Sequence, residues 1–213
     1  MNKILLGILG CCFFVMSCKI SPDKDVLGNP LGIEVVEYDE KAPLPVIKDT
    51  IPSFSFTNQN GETITNETFK DKIYVTDFFF TRCPTQCPAM KREMLRIHDK
   101  YKDNDKIILL SHSIDPRNDT VQRLKVFSDR LQVNASKWHF VTGDRAEIKK
   151  MAKAYYIPYE EDATEPGGYL HSKRFILMDG QGRMRGSCSD GTNADETDIF
   201  LKDIEKLLNE KKE

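Results

Sequence analysis

With 213 residues, the chain has room for one domain of ordinary size and an N-terminal appendage. Hydrophobic residues make up 39% and charged residues 30%, which argues against both a helical membrane bundle and a disordered chain. The net charge of -2, with Lys and Arg spread along the sequence, lacks the basic excess of a nucleic-acid surface, so no nucleic-acid partner is expected.

The first eighteen residues differ in composition from the rest. Met1-Asn2-Lys3 gives a short positive start, and Ile4 to Met16 is an almost unbroken apolar run. A comfortable membrane span needs about 20 apolar residues, so this run has instead the layout of a secretory signal. Val15-Met16-Ser17-Cys18 then resembles a bacterial lipobox. Residues 1–17 are therefore expected to be removed, leaving Cys18 to carry acyl chains, several of which anchor a protein stably. The domain is expected outside the cytoplasm, lipid-anchored to a membrane of a bacterial cell envelope. Cys11 and Cys12 would leave with the signal. The remaining thiols are a close pair, Cys83 and Cys87, and the single Cys188, which is not a disulfide scaffold.

Residues 18–50 are rich in Pro, Gly, Asp and Lys and read as a tether, with a short strand expected at Ile33–Tyr38. The domain, 51–213, opens with a β-hairpin around Asn58-Gln59-Asn60-Gly61, since Asn-Gly is a strong turn signal. Ile73 to Phe80 reads as a buried strand, followed by an amphipathic helix carrying Met90, Met94, Leu95, Ile97 and Tyr101. Lys106–Ser111 is the next strand, and Asn118 or Asp119 can cap the helix that holds Val121 to Leu131. Trp138–Thr142 is a third strand, and Gly143-Asp144 leads into a helix around Ile148, Met151 and Ala154. After a loop, Arg174–Met178 and Met184–Ser187 flank the turn Asp179-Gly180-Gln181-Gly182 and should pair as a hairpin. A last helix runs from Asp195 to about Leu208, with acids in its first turn and lysines beyond its end. This order predicts an α/β thioredoxin-like fold: a central mixed β-sheet with helices on both faces and an N-terminal β-hairpin.

The chemistry concentrates in Phe80-Thr81-Arg82-Cys83-Pro84-Thr85-Gln86-Cys87-Pro88, where the buried strand gives way to the helix. N–H groups at a helix N-terminus favour a thiolate, and Pro84 suits a first turn. Residues four apart on a helix meet on one face, about 5–6 Å between Cβ atoms. The pair can therefore be a dithiol, a disulfide or two legs of a metal site. Thiolates select Cu(I), and an added imidazole suits either copper oxidation state.

Cys83-Pro-Thr-Gln-Cys87-Pro88 resembles the CPxxCP signature of the Sco/SenC family of copper proteins. Three further segments agree in order and spacing: Ser113-Ile114-Asp115-Pro116-Arg117-Asn118-Asp119-Thr120, Thr142-Gly143-Asp144, and Leu170-His171-Ser172 ahead of Phe175–Asp179. The resemblance implies His171 as a third copper ligand beside Cys83 and Cys87. It also implies transfer of copper to the oxidase subunit carrying the CuA centre, with other copper carriers or thiol reductants as further partners. The family often places an acidic residue before this histidine, where Leu170 stands here, which leaves the orientation of the imidazole open. Asp77 is one carboxylate that could lie nearby.

The remaining candidates have plainer expectations. His98, His112 and His139 read as structural or solvated, Met90 and Met94 as core, Cys188 as a half-buried small residue, and Asp115 and Asp119 as turn and capping residues. Two function classes stand: a copper metallochaperone, and a membrane-tethered thiol-disulfide oxidoreductase with Cys83 attacking and Cys87 resolving. A peroxiredoxin-type peroxidase is disfavoured, because Phe80 and Thr76 occupy the positions where PxxxTxxC needs a hydroxyl residue and proline.

Overall fold

The computed structural model describes residues 42–47 and 50–210, all within the unit Glu34–Glu213. Cys18, the signal segment and the strand expected at Ile33–Tyr38 lie outside the described residues. The strands are β1 (Ser55–Asn58), β2 (Thr63–Thr65), β3 (Ile73–Phe79), β4 (Ile107–Ser113), β5 (Trp138–Thr142), β6 (Tyr159–Glu161), β7 (Tyr169–His171), β8 (Phe175–Met178) and β9 (Met184–Cys188). The helices are α1 (Gln86–Tyr101), α2 (Val121–Leu131), α3 (Arg145–Ala154) and α4 (Ala194–Asn209).

Seven strands form one mixed sheet in the order β2-β1-β5-β4-β3-β8-β9. β3, β4 and β5 run parallel in the centre, with antiparallel strands on either side. Every residue of β3 and β4 is buried, as expected for central parallel strands covered on both faces. Alternation along β3 divides the core. Phe79 faces Phe127 of α2 and Phe140 of β5, on the side where α1 and α4 also pack. Phe78 and Tyr74 face Tyr155, which follows α3, together with Phe69. Each fully buried aromatic of this kind stabilises the fold by about 1.5–3 kcal/mol through removal from water.

The N-terminal hairpin forms as the Asn-Gly signal predicts. Asn58 Oδ1 accepts from the backbone N–H groups of Asn60 and Glu62, and Gly61 takes φ +80, which a β-carbon would disfavour. α1 forms because Met90, Met94, Ile97 and Tyr101 line one stripe that is buried against the sheet. The closing hairpin β8–β9 and the helix α4 follow the expected order, with Asn193 capping α4 through Asp195 N–H. Residues 44–47, expected as part of a tether, pack on the domain: Ile47 N–H donates to Met184 O, and Arg185 donates to the carbonyls of Leu44 and Pro45.

Three local expectations are corrected. The cap of α2 is Thr120, whose side chain accepts from Arg123 N–H, and neither Asn118 nor Asp119 serves there. Cys83 precedes α1, so only Cys87 of the pair is helical. The segment expected as a loop before His171 contains a second, two-stranded sheet, β6–β7, in which Tyr159 pairs with His171. Its strands are only three residues long and alternate poorly, so they carry almost no periodic signal.

Candidate metal centre

The site lies where β3 ends. The chain leaves Phe79, turns so that Cys83 N–H donates to Phe80 O at 3.3 Å, and enters α1 at Gln86. Thr85 occupies the N-cap position, but its side chain makes no cap hydrogen bond. Cys83 Sγ sits at this helix start, with Thr85 Oγ1 at 3.7 Å, and the backbone N–H groups of Cys87 and Thr85 help to lower its pKa. Backbone amides at the helix start therefore act on the Cys83 sulfur although Cys83 stands outside the helix.

The two thiols are strongly unequal. The thiol of Cys83 is held well below its usual range, first by the hydrogen bond from the Cys87 thiol and, against the opposing effect of burial, by the backbone N–H groups of Cys87 and Thr85. The thiol of Cys87 is pushed up, because it donates to Cys83 and is buried. Both residues are buried, Cys83 8% exposed and Cys87 4%.

The sheet β6–β7 delivers His171 to both sulfurs. Its Nε2 lies 3.4 Å from Cys87 Sγ and 3.8 Å from Cys83 Sγ. Nδ1 lies 3.0 Å from Ser172 O, and a carbonyl can only accept, so Nδ1 carries the proton. In the neutral ring Nε2 is then a lone-pair donor facing the cysteines. Gln86 Nε2 donates to His171 O at 2.9 Å, and Phe80 packs edge-on against the imidazole. The orientation that Leu170 leaves open in the sequence is therefore fixed by a backbone carbonyl, a helix-start amide and an aromatic ring. Asp77 plays no part in it. Its carboxylate accepts Lys91 Nζ at 2.6 Å and Ser111 Oγ in a buried network that Trp138 Nε1 also joins.

Cys83, Cys87 and His171 form a group of potential ligand atoms all within 4.8 Å of one another, each residue buried. With metal–thiolate bonds of about 2.3 Å and a metal–imidazole bond of about 2.0 Å, a planar three-coordinate ion needs S···N separations of about 3.7 Å. The observed 3.4 and 3.8 Å bracket that value, and the soft S₂N donor set suits copper.

The two aspartates expected as turn and capping residues have larger roles. Asp115, 1% exposed, pairs with Arg82 at 2.8 Å and accepts from Tyr169 Oη at 3.2 Å. Burial and this carboxylate push the Tyr169 phenol up to about 12, so it stays a donor. Asp119 accepts from Thr81 N–H, Thr81 Oγ1 and Ser113 Oγ. Only their place in a recurring motif distinguished them in sequence, because Arg82, Thr81 and Tyr169 lie 33 to 54 positions away. Gly167 is a further site residue that sequence reasoning missed. With φ +89, its missing β-carbon would lie 2.7 Å from the Phe80 ring, so the β6–β7 loop closes onto the cysteine turn only with glycine there.

The other candidates lie away from the two sulfurs. Met90 and Met94 are fully buried core, and Cys188 is a buried thiol pushed up to about 12 by burial. His139 is buried and lies 3.2 Å from Asn58 Nδ2, and His98 packs against Trp138. His112 is fully buried among Phe54, Phe56, Phe78 and Tyr155 and makes no hydrogen bond among the described residues.

The sequence profile of the SCO1/SenC family matches residues 45–209. The fold is similar to that of a SCO1/SenC family lipoprotein from Bacillus anthracis str. Ames, with a TM-score of 0.68 and 28% identity over 76% of this chain and 96% of that one. It is similar to BsSco, described as a member of the Sco family of cytochrome c oxidase assembly proteins with a disulfide switch. That match has a TM-score of 0.65 and 26% identity over 79% of this chain and 100% of the other. It is also similar to Arabidopsis thaliana ScoI with copper bound, with a TM-score of 0.62 and 28% identity over 73% of this chain and 98% of that one. Profile, fold and the paired cysteines with their distant histidine agree: the chain belongs to the SCO1/SenC family.

Proposed function

We propose that the domain is a copper metallochaperone that holds its cargo through Cys83, Cys87 and His171 and serves assembly of the CuA centre of a respiratory cytochrome c oxidase. The observation that carries this reading is the placement of a lone-pair imidazole nitrogen 3.4 and 3.8 Å from two sulfurs. A thiol reductase needs only the sulfurs, whereas here the histidine is clamped from three sides. Copper in Arabidopsis ScoI and the oxidase-assembly role attached to BsSco support the same reading. Cys18 would carry the lipid that holds the domain at a membrane outside the cytoplasm, an arrangement supported by the Bacillus anthracis lipoprotein.

The inequality of the two thiols favours a second activity at the same site. Cys83 as thiolate would attack a partner disulfide, expelling one partner thiolate. Cys87, losing its proton, would then attack Cys83 Sγ, releasing the second partner thiol and leaving a Cys83–Cys87 disulfide. Reduced recipient cysteines are what copper loading requires, so the two activities are compatible.

The test is copper binding by the full chain, purified reduced and anaerobic in detergent, beside Cys83→Ser and His171→Ala. One copper per chain is expected, lost in Cys83→Ser and weakened with an altered spectrum in His171→Ala. A wild type that yields all copper to a competing chelator, yet reduces disulfides equally well with and without His171, would overturn the metallochaperone reading in favour of the reductase.

A further inference from the structure

We infer that Asp115 is a positioning residue that sets the distance between the cysteine turn and the histidine strand, an inference that rests on the copper reading above. Its carboxylate reaches both ligand-bearing segments. Oδ2 accepts Arg82 Nη2 at 2.8 Å and Nε at 3.3 Å, and Arg82 directly precedes Cys83. Oδ1 accepts Tyr169 Oη at 3.2 Å, and Tyr169 lies two residues before His171 on β7. Asn118 Nδ2 donates to both oxygens at 2.9 Å.

Asp115 itself is fixed to the core. It follows β4, a central strand, and Ile114 N–H donates to Phe79 O while Asp115 N–H donates to Ser113 Oγ. One anchored carboxylate therefore joins the cysteine turn and the histidine strand to each other and to the end of β4. β6–β7 forms a sheet of its own and shares no strand pairing with the seven-stranded sheet. Besides the contacts of His171 Nε2 with the two sulfurs, its polar ties to the cysteine segment among the described residues include this bridge and the Gln86 bond to His171 O.

The residue type follows from the geometry. Donors converge on both oxygens at once, and an ionised carboxylate presents two acceptors where an amide presents one. Asparagine would set an NH₂ group against either the guanidinium or the phenol. Asp115 does not cap α2, since Thr120 does, so helix capping does not account for it.

The test uses the full chain in detergent with three variants: Asp115→Asn, Tyr169→Phe and Arg82→Gln. Tyr169→Phe keeps the ring against Phe80 and removes only the hydroxyl. Cu(I) affinity is measured by chelator competition, Cu(II) by its sulfur-to-copper absorption and electron paramagnetic resonance, and folding by thermal denaturation without metal. Each variant is expected to lose affinity by on the order of ten- to a hundredfold and to show altered Cu(II) spectra, as loss of a residue that orients metal ligands does. Tyr169→Phe is expected to keep the wild-type thermal midpoint, so it decides the matter even if Asp115→Asn fails to fold. Wild-type affinity and spectra in Tyr169→Phe and Arg82→Gln would overturn the inference alone, whatever happens to stability. A wild type that binds no copper would overturn the copper reading and this inference with it.

Discussion

Nε2 of His171 lies 3.4 Å from Sγ of Cys87, with 84 positions of sequence separating the two residues, while Nδ1 of the same ring donates to the adjacent Ser172 carbonyl. The two nitrogens thus divide the work. One is spent on a local backbone bond that fixes tautomer and ring plane, and the other is left to meet the sulfurs. A backbone carbonyl supplies the orientation that a neighbouring acidic side chain would otherwise provide, so Leu170 is no obstacle to a metal site.

The unequal thiols predict selective alkylation. In the reduced native protein at pH 6, an ordinary thiol is thiolate only to a fraction of about 1% or less. Cys83, held below the usual thiol range, remains largely thiolate there, whereas Cys188 is pushed up to about 12. A low thiol pKa also lowers intrinsic nucleophilicity, so the net preference for Cys83 is expected to be roughly tenfold or more over the other two. Iodoacetamide labelling followed by peptide mass spectrometry checks this. Equal labelling of Cys83 and Cys188 in the folded protein would refute it, and denaturation should abolish the selectivity.

His112 predicts a share of the acid sensitivity. Burial lowers its pKa to about 3, and burial lowers that of His139 to about 4. Both groups bind protons more tightly unfolded than folded, so stability is full above the unfolded value near 6.5 and is lost as pH falls below it. The slope is about 1.4 kcal/mol per pH unit for each, down to the folded pKa. His112→Phe, which leaves no buried nitrogen without a partner, is expected to be more stable than wild type by roughly 2 kcal/mol at pH 4.5–5. Urea denaturation at pH 7.5 and 4.8 measures it, and identical pH slopes for the two proteins would contradict the assignment.

The buried pair of Lys91 and Asp77 predicts a large single-site effect. Their side chains are 5% and 0% exposed, and Lys91 Nζ also sits 4.2 Å from the centre of the Phe79 ring. Lys91→Met strands a buried carboxylate and is expected to cost about 3–5 kcal/mol. Adding Asp77→Leu removes the stranded charge and should recover much of that loss. Denaturant midpoints of the two variants decide it; a double variant less stable than Lys91→Met would show that packing, not the unpaired charge, dominates.

Gly167 and Gly168 form a matched pair. Both have positive φ, +89 and +86, but a β-carbon would meet the Phe80 ring at Gly167 and open space at Gly168. Each alanine variant carries the conformational strain, about 1–2 kcal/mol. Only Gly167→Ala should also push the loop off the cysteine turn, and it is expected to weaken copper binding at least several-fold more than Gly168→Ala. Chelator competition on both, beside their thermal midpoints, separates strain from displacement.

Sequence alone determined the order of the four helices and of the seven strands of the main sheet, the buried central strands and the cysteine turn. Those rest on short-range signals: β-branched and aromatic runs such as Ile73–Phe79, the stripe Met90, Met94, Ile97, Tyr101, and Asn60-Gly61. It also brought out Cys83, Cys87 and His171, the last only through resemblance, since nothing local marks that histidine. Tertiary structure decided what lies across the fold. It placed His171 on a three-residue strand too short for periodicity to show, and it kept Cys83 outside the helix, in the turn before its N-cap. It also drew Asp77 into a buried pair with Lys91 and left Asp115 to join Arg82 to Tyr169. Periodicity reports the neighbours a residue has along its own element; hydrogen bonds between segments tens of positions apart leave no such trace, and they are what assemble the site.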